Sequence, residues 1–213
     1  MGSAGHAVKI AIAPNAFKGS LTAAQAADCI ERGIRRALPN VATIIKIPMA
    51  DGGDGTVQAI VAATGGKRVR CSACDALGRK IRSSFGLTGD GQTAVIEMAL
   101  ASGLALLKPD ERNPLLTSTR GTGELIRAAL DRCVVEILIG IGGSATIDGG
   151  MGMARALGVR FLDARNRELP DNGGALTRLD RIDPSGVDGR LKNITVHVAC
   201  DVNNPLCGTR GAA

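Results

Sequence analysis

Hydrophobic and polar positions recur along the chain with two distinct periods. Val8 to Ala13 alternates as Val-Lys-Ile-Ala-Ile-Ala, the period-two pattern of a strand, and Pro14 ends it. Ala26, Ala27, Ile30, Ile34, Ala37 and Leu38 fall on one face of a helix, and Thr22 with Gln25 predicts a capping box at its start. Thr43 to Ile47 predicts a second strand. Val57 to Thr64 predicts a short helix capped by Thr56. After Gly66 the pattern changes. Lys67 to Ala73, Arg79 to Leu87 and Thr93 to Met98 alternate as strands of an antiparallel meander, with Leu77-Gly78-Arg79 and Gly89-Asp90-Gly91 as turn material.

Farther on, Ala99 to Leu107 reads as a helix, and a second helix starts near Gly121 with Leu125, Ile126, Ala129 and Leu130 inside. Val134 to Ile139 is an apolar run of buried-strand length. Met151 to Leu157 is helical and closes at Gly158. Val159 to Leu162 and Ile194 to Cys200 read as strands, and turn signals fill most of the region between them. Alternating strand-like and helix-like segments predict an α/β fold. The change at Gly66 places a boundary there, with an N-terminal α/β segment over 1–66 and a second α/β lobe over 67–213.

Composition sharpens this picture in three ways. Of the 213 residues, 45% are apolar but only 1% aromatic, with no Trp or Tyr, so the core is built of aliphatic side chains. The net charge is +6, yet no basic run interleaves with aromatics, so nothing points to nucleic acid. An enzyme of anionic substrates accounts for the same balance, as does a merely soluble surface. No 18-residue apolar run and no signal peptide occur, and the cysteines follow no disulfide framework, so a cytoplasmic setting without membrane contact is expected. Cys71 and Cys74 form the one C-x-x-C, but His6 and His197 are isolated, so a zinc site lacks its second pair of ligands.

Polar loops follow three of the predicted strands, two of them rich in glycine. The stretch Gly140-Ile-Gly-Gly-Ser-Ala-Thr-Ile-Asp148 follows the apolar run, and its amides and hydroxyls suit a phosphate. Asp51-Gly-Gly-Asp54-Gly follows the second strand. Two carboxylates among glycines suit Mg²⁺, a substrate hydroxyl, or a turn that needs positive φ. Asp201-Val-Asn-Asn204 follows the last strand. Lys18 lies in the loop after the first, and Glu97 follows an apolar strand, where it reaches the cleft or caps a turn.

Two catalytic readings compete. Gly140, Gly142 and Ala145 match a dinucleotide fingerprint, with Asp163 roughly 20 residues on as the ribose acid. Against it, the following helix would run through Gly149, Gly150 and Gly152, each costing about 0.5–1 kcal/mol relative to Ala. A phosphotransferase instead needs phosphate-binding amides, a cation, carboxylates for Mg²⁺ and a proton acceptor. Gly142 to Thr146, Lys18, Asp51, Asp54, Asp148 and Asp201 supply each type, although no Walker A motif is present. A non-catalytic domain, the third possibility, predicts no convergence of the loops.

Long collinear motifs favour the phosphotransferase. Ile12-Ala-Pro-Asn-Ala-Phe-Lys-Gly-Ser-Leu-Thr22, Pro48-Met-Ala-Asp-Gly-Gly-Asp-Gly-Thr56, Ala94-Val-Ile-Glu-Met-Ala99, Asn113-Pro-Leu-Leu-Thr-Ser-Thr119, Ile139-Gly-Ile-Gly-Gly-Ser-Ala-Thr146 and Ala199-Cys-Asp-Val202 stand in order. Through them the chain resembles the N-terminal part of a type I glycerate kinase, of the glycerate 2-kinase family. The resemblance implies a two-lobed architecture whose C-terminal half is missing from this chain. That half contributes to the cleft, so this exact chain can be inactive alone.

The resemblance also implies ATP-dependent phosphorylation of glycerate with Mg²⁺. It gives Lys18 the glycerate carboxylate or the transferred phosphate. Asp51 and Asp54 take Mg²⁺ or glycerate hydroxyls, with Gly52, Gly53 and Asn204 in the substrate site. Gly142, Gly143, Ser144 and Thr146 cradle the ATP phosphates, and Asp148 or Asp201 acts as base. Departures from the family pattern are Asn15 in place of Asp, Asp54 in place of Glu, Arg120 in place of Tyr, and Ile147 in place of Asn or Val.

Overall fold

A computed structural model describes residues 8–17, 20–39, 43–200, 205 and 207–211. Strand β1 (Lys9–Ile12) leads into helix α1 (Ala23–Ala37) and then strand β2 (Thr43–Lys46). The two strands pair in parallel as a sheet of their own, Ile12 opposite Lys46. The capping box forms as expected. Thr22 Oγ1 accepts from the Gln25 N–H at 3.2 Å, and Gln25 Oε1 accepts from the Thr22 N–H at 2.9 Å. Ala26 and Ala27 are fully buried beneath α1.

Helix α2 (Thr56–Thr64) begins one residue differently from expectation. Its N-cap is Gly55, and Thr56 instead donates its hydroxyl to the Gly53 carbonyl at 2.8 Å. The strands β3 (Lys67–Cys74), β4 (Lys80–Leu87) and β5 (Thr93–Glu97) form the antiparallel meander. Beside β5 lie β6 (Glu136–Gly140) and then β9 (Thr195–Ala199), both parallel to it, which gives a five-stranded mixed sheet in the order β3-β4-β5-β6-β9.

Helices cover both faces of the large sheet. On one face α4 (Arg120–Leu130) presses Leu125, Ile126, Ala129 and Leu130 onto Phe85, Ile96 and Ile137. On the other, α2 lies against β3, β4 and β5, with Val57 and Val61 over Gly86. The helix nearest the expected boundary at Gly66 therefore packs with the residues that follow it. Each fully buried Leu, Ile or Phe contributes about 1.5–3 kcal/mol, so the aliphatic composition suffices for this core.

The stretch expected to be one helix from Ala99 to Leu107 is broken. Helix α3 (Ala99–Ser102) stops at Gly103, and Leu104–Leu106 form a separate 3₁₀ turn. Helix α5 (Met151–Ala156) is followed by β7 (Arg160–Leu162). A short strand, β8 (Arg181–Asp183), pairs antiparallel with β7 in a region read from the sequence as turns. Phe161, Leu169, Met151 and Ala175 make a small satellite core there. Val196 and Val198 of the edge strand β9, and Ile45 of β2, are about half exposed.

Candidate active site

Three strand ends stand at one level. Glu97 ends β5, Gly140 ends β6 and Ala199 ends β9, and the register pairs Glu97 with Gly140 and Gly140 with Ala199. Ligands of open parallel sheets gather at this carboxyl edge. The loop after β2 folds across it. Buried Gly52 has φ +91°, and a Cβ there would lie 2.5 Å from the Ala199 carbonyl oxygen. A Cβ on Gly140 would lie 2.5 Å from the Gly52 carbonyl oxygen, and one on Gly142 2.6 Å from Gly53 Cα. The Gly142 N–H donates to the Gly52 carbonyl at 3.0 Å. Here the glycines permit backbone to pack on backbone, and they bring the loops after β2 and β6 together at the end of β9, whose own following loop, Asp201 to Asn204, lies outside the described residues.

This packing corrects part of the expected phosphate cradle. The Gly142 N–H is committed to Gly52. The Thr146 N–H donates to Ser144 Oγ at 3.1 Å, and the Ser144 and Thr146 hydroxyls bond each other at 2.8 Å. The N–H groups of Gly143 and Ser144 have no partner among the described residues. The anion-binding capacity of the loop thus narrows to these two amides.

Asp51 and Asp54 emerge exposed on either side of buried Gly52. Asp51 Oδ1 accepts from the Gly53 N–H at 3.0 Å, and Asp51 Oδ2 accepts from Asn15 Nδ2 at 2.6 Å. An Asp at position 15 would set a second carboxylate against Asp51, whereas the amide donates to it. The Asp54 carboxylate lies against Gly143, whose Cβ, were there one, would sit 3.0 Å from Oδ1. A cleft of about 360 Å³ opens beside Asp54, lined by Thr22, Gln25, Arg68 and Glu97 among others.

Glu97 is a site residue that sequence reasoning left between two roles. It is only 4% exposed, and both its oxygens accept backbone N–H groups at the start of α2, from Gly55 at 3.1 Å and Val57 at 3.0 Å. Burial pushes its pKa up, the two N–H bonds oppose this, and the Asp54 charge adds to the rise.

Asp148 is corrected as a candidate base. Its side chain is buried, with 1% exposure. Oδ2 accepts from the Thr119 N–H, the Thr119 hydroxyl and the Gly152 N–H at 2.8, 2.9 and 3.0 Å, and Oδ1 accepts from the Gly150 N–H at 3.1 Å. A general base needs hydrogen-bond reach to its substrate, and these donors and the surrounding atoms leave none. Asp148 instead joins the start of α4 to the start of α5.

A profile of the glycerate kinase family matches residues 10–213. The chain belongs to the glycerate kinase family. It is 56% identical over 205 residues to a glycerate kinase of Bacillus subtilis, covering 96% of this chain and 53% of that protein. It is 50% identical over 206 residues to the glycerate 2-kinase of Escherichia coli, covering 97% and 54%. Among solved structures, a putative glycerate kinase 2 from Salmonella typhimurium superposes with a TM-score of 0.85 at 50% identity, over 97% of this chain and 56% of that one. The chain thus spans about half the length of the relatives it matches.

Lys18, Asp201 and Asn204, which the resemblance assigns to the site, lie outside the described residues. The dinucleotide reading is overturned. Gly149 and Gly150 both have positive φ, and α5 begins only at Met151, so no helix starts at the glycine fingerprint. Strand β7 leaves the large sheet to pair with β8, and Asp163 accepts from Arg165 and Arg167 in its own turn.

No group of three or more His, Cys, Asp or Glu able to hold a metal occurs among the described residues. No helix there is long and apolar enough to cross a membrane. Cys29, Cys71, Cys74, Cys133 and Cys207 are free thiols. Burial raises the pKa of Cys71. It does the same for Cys74, where the Glu124 carboxylate adds to the effect. Both should therefore react more slowly with iodoacetamide at neutral pH than exposed Cys29 and Cys133, since the thiolate is the nucleophile. Peptide mapping after timed alkylation would check this, and equal rates at all four would contradict it.

Proposed function

We propose that this chain supplies the substrate-binding face of an enzyme that transfers the γ-phosphoryl group of ATP to glycerate. The observation that carries the proposal is the junction at Gly52. It sets exposed Asp51 and Asp54 at the carboxyl edge of the sheet, beside the Gly143 and Ser144 amides, which have no partner among the described residues. Carboxylates hold hydroxyls, and paired amides hold phosphate oxygens. Phosphoryl transfer asks mainly for positioning and charge stabilisation.

In this reading Asp54 and Asp51 orient the glycerate hydroxyls, and Lys18 receives the carboxylate or the transferred group. The Gly143 and Ser144 amides take phosphate oxygens. With Asp148 enclosed, Asp201 is the base that accepts the hydroxyl proton, and Asn204 completes the substrate site. Mg²⁺ commonly binds through one or two carboxylates plus phosphate oxygens. Exposed Asp54 and Asp51 fit that set without a third protein ligand. When bound, Mg²⁺ neutralises charge on the phosphates. A cytoplasmic setting supplies ATP and keeps the cysteines reduced.

The test is ADP release with ATP, Mg²⁺ and D-glycerate, on this chain and on one extended to the length of its relatives. Glycerate-dependent release by the extended chain, reduced on the order of 10²-fold by Asp54→Asn, is the expected result. Absence of glycerate-dependent release from both chains would overturn the proposal.

A further inference from the structure

We infer that Glu97 is a positioning residue that holds the Asp51–Asp54 loop in its working geometry from across the sheet. The inference rests on the functional reading above for the role of Asp54, and on independent geometry for the role of Glu97. Helix α2 has no cap of its own, because Gly55 at its N-cap offers no side chain. The cap comes from 42 residues away in sequence, on the end of β5. Its two oxygens take Gly55 and Val57 in a bidentate clasp, beginning one residue after Asp54. On the same strand end, the Met98 N–H donates to the Gly140 carbonyl at 2.9 Å, where the other glycine loop starts. The end of β5 therefore holds both loops at one level of the sheet, the carboxylate loop through the Glu97 side chain and the amide loop through the Met98 N–H.

The chemistry of the cap argues for function. Gly55 has φ +92°, a conformation in which a side-chain N-cap is strained, so α2 takes its cap from outside its own segment. A carboxylate is buried next to a second carboxylate, Asp54, and the Arg68 charge across the cleft offsets only part of the effect, its guanidinium being bonded to the Ser84 hydroxyl. Burying such a group is costly, and the two N–H bonds at the start of α2 offset part of that cost. What the clasp gains over a local cap is a fixed distance between Asp54 and the amides of Gly143 and Ser144.

The experiment compares Glu97→Gln, Glu97→Asp and Asp54→Asn, with the double variant Glu97→Gln/Asp54→Asn. In this chain, amide exchange at Gly55 and Val57 should quicken roughly tenfold in Glu97→Gln, while amides of β5 and β6 keep their protection. In the chain extended to the length of its relatives, kcat should fall on the order of 10²-fold with little change in the ATP KM. Glu97→Asp should recover part of that loss. The double variant should lose little more than Asp54→Asn alone, because the clasp acts through the loop that carries Asp54.

Unchanged exchange at Gly55 and Val57 would overturn the clasp. Turnover equal to wild type, or losses that multiply fully in the double variant, would overturn positioning through Asp54. If the wild-type extended chain transfers no phosphoryl group, the functional reading fails, and the exchange result still decides whether Glu97 holds the loop.

Discussion

Replacing Gly52 with Ala should unfold the junction on which the candidate site is built. Two costs add. A Cβ at φ +91° is strained by roughly 1–2 kcal/mol. The same Cβ would meet the Ala199 carbonyl at 2.5 Å, a backbone atom in a paired strand that cannot swing aside. Overpacking of this kind costs about 1–3 kcal/mol. Gly55→Ala is the matched control, for its φ is +92° and nothing lies within 4 Å of its added Cβ. Gly55→Ala should lose only the strain. Gly52→Ala should lose the strain and the contact, lowering the melting temperature by about 5–10 °C. It should also move Asp51 and Asp54 enough to cost on the order of 10²-fold in turnover in a full-length enzyme. Equal melting shifts for the two variants would mean that backbone strain alone matters, and that the loops do not depend on close approach.

The same pair of glycines marks what could be read from the sequence and what could not. Features set by neighbours in the chain were legible. The Thr22–Gln25 capping box spans three residues and forms as its spacing requires. The runs become β3, β4 and β5 as expected, with β3 alternating between buried and exposed positions while β4 from Ser83 and β5 from Ala94 are buried on both faces. The loops after β2 and β6 were recognisable as polar, glycine-rich and placed at strand ends, which sufficed to nominate Asp51 and Asp54. The purpose of the glycines was not legible. A loop that binds phosphate and a loop that packs on another loop both need residues without Cβ. Only the register that puts Ala199 beside Gly140 distinguishes them.

Pairings across long stretches of chain escaped for the same reason. Glu97 finds its N–H partners about 40 residues upstream, and Asp148 finds Thr119 at a separation of 29. No local periodicity records such partners. Position 103 shows the reverse case. The apolar run from Ala99 to Leu107 has helical composition, but Leu104 donates its N–H to the Gly143 carbonyl, and Ala145 donates to the Ser102 carbonyl. Those two bonds tie the end of α3 to the amide loop, so the helix stops there. The Gly143 and Ser144 amides are oriented by this attachment, and it is invisible in the run itself.

Asp148→Asn separates a structural acid from a catalytic one. An anion accepting several N–H groups at the starts of two helices uses the physics that binds phosphate, here turned inward to join α4 and α5. Asn presents one oxygen and one NH₂ group to a pocket of four donors, so at least one donor faces a donor. Disrupting a buried, charge-assisted network costs about 2–4 kcal/mol, and the melting temperature should fall by roughly 5–10 °C. Thr119→Val should reproduce part of this loss, because the Thr119 hydroxyl both donates to Asp148 and accepts from the Met153 N–H at 2.8 Å. The signature lies in temperature. A destabilised fold recovers turnover on cooling well below its melting point. A missing base does not, and it leaves the melting temperature alone. Asp201→Asn, assayed beside it in a full-length enzyme, should show that second pattern. If Asp148→Asn melts like wild type and stays inactive when cold, Asp148 takes the proton after all, and the loop from Thr117 to Thr119 must open to admit the substrate.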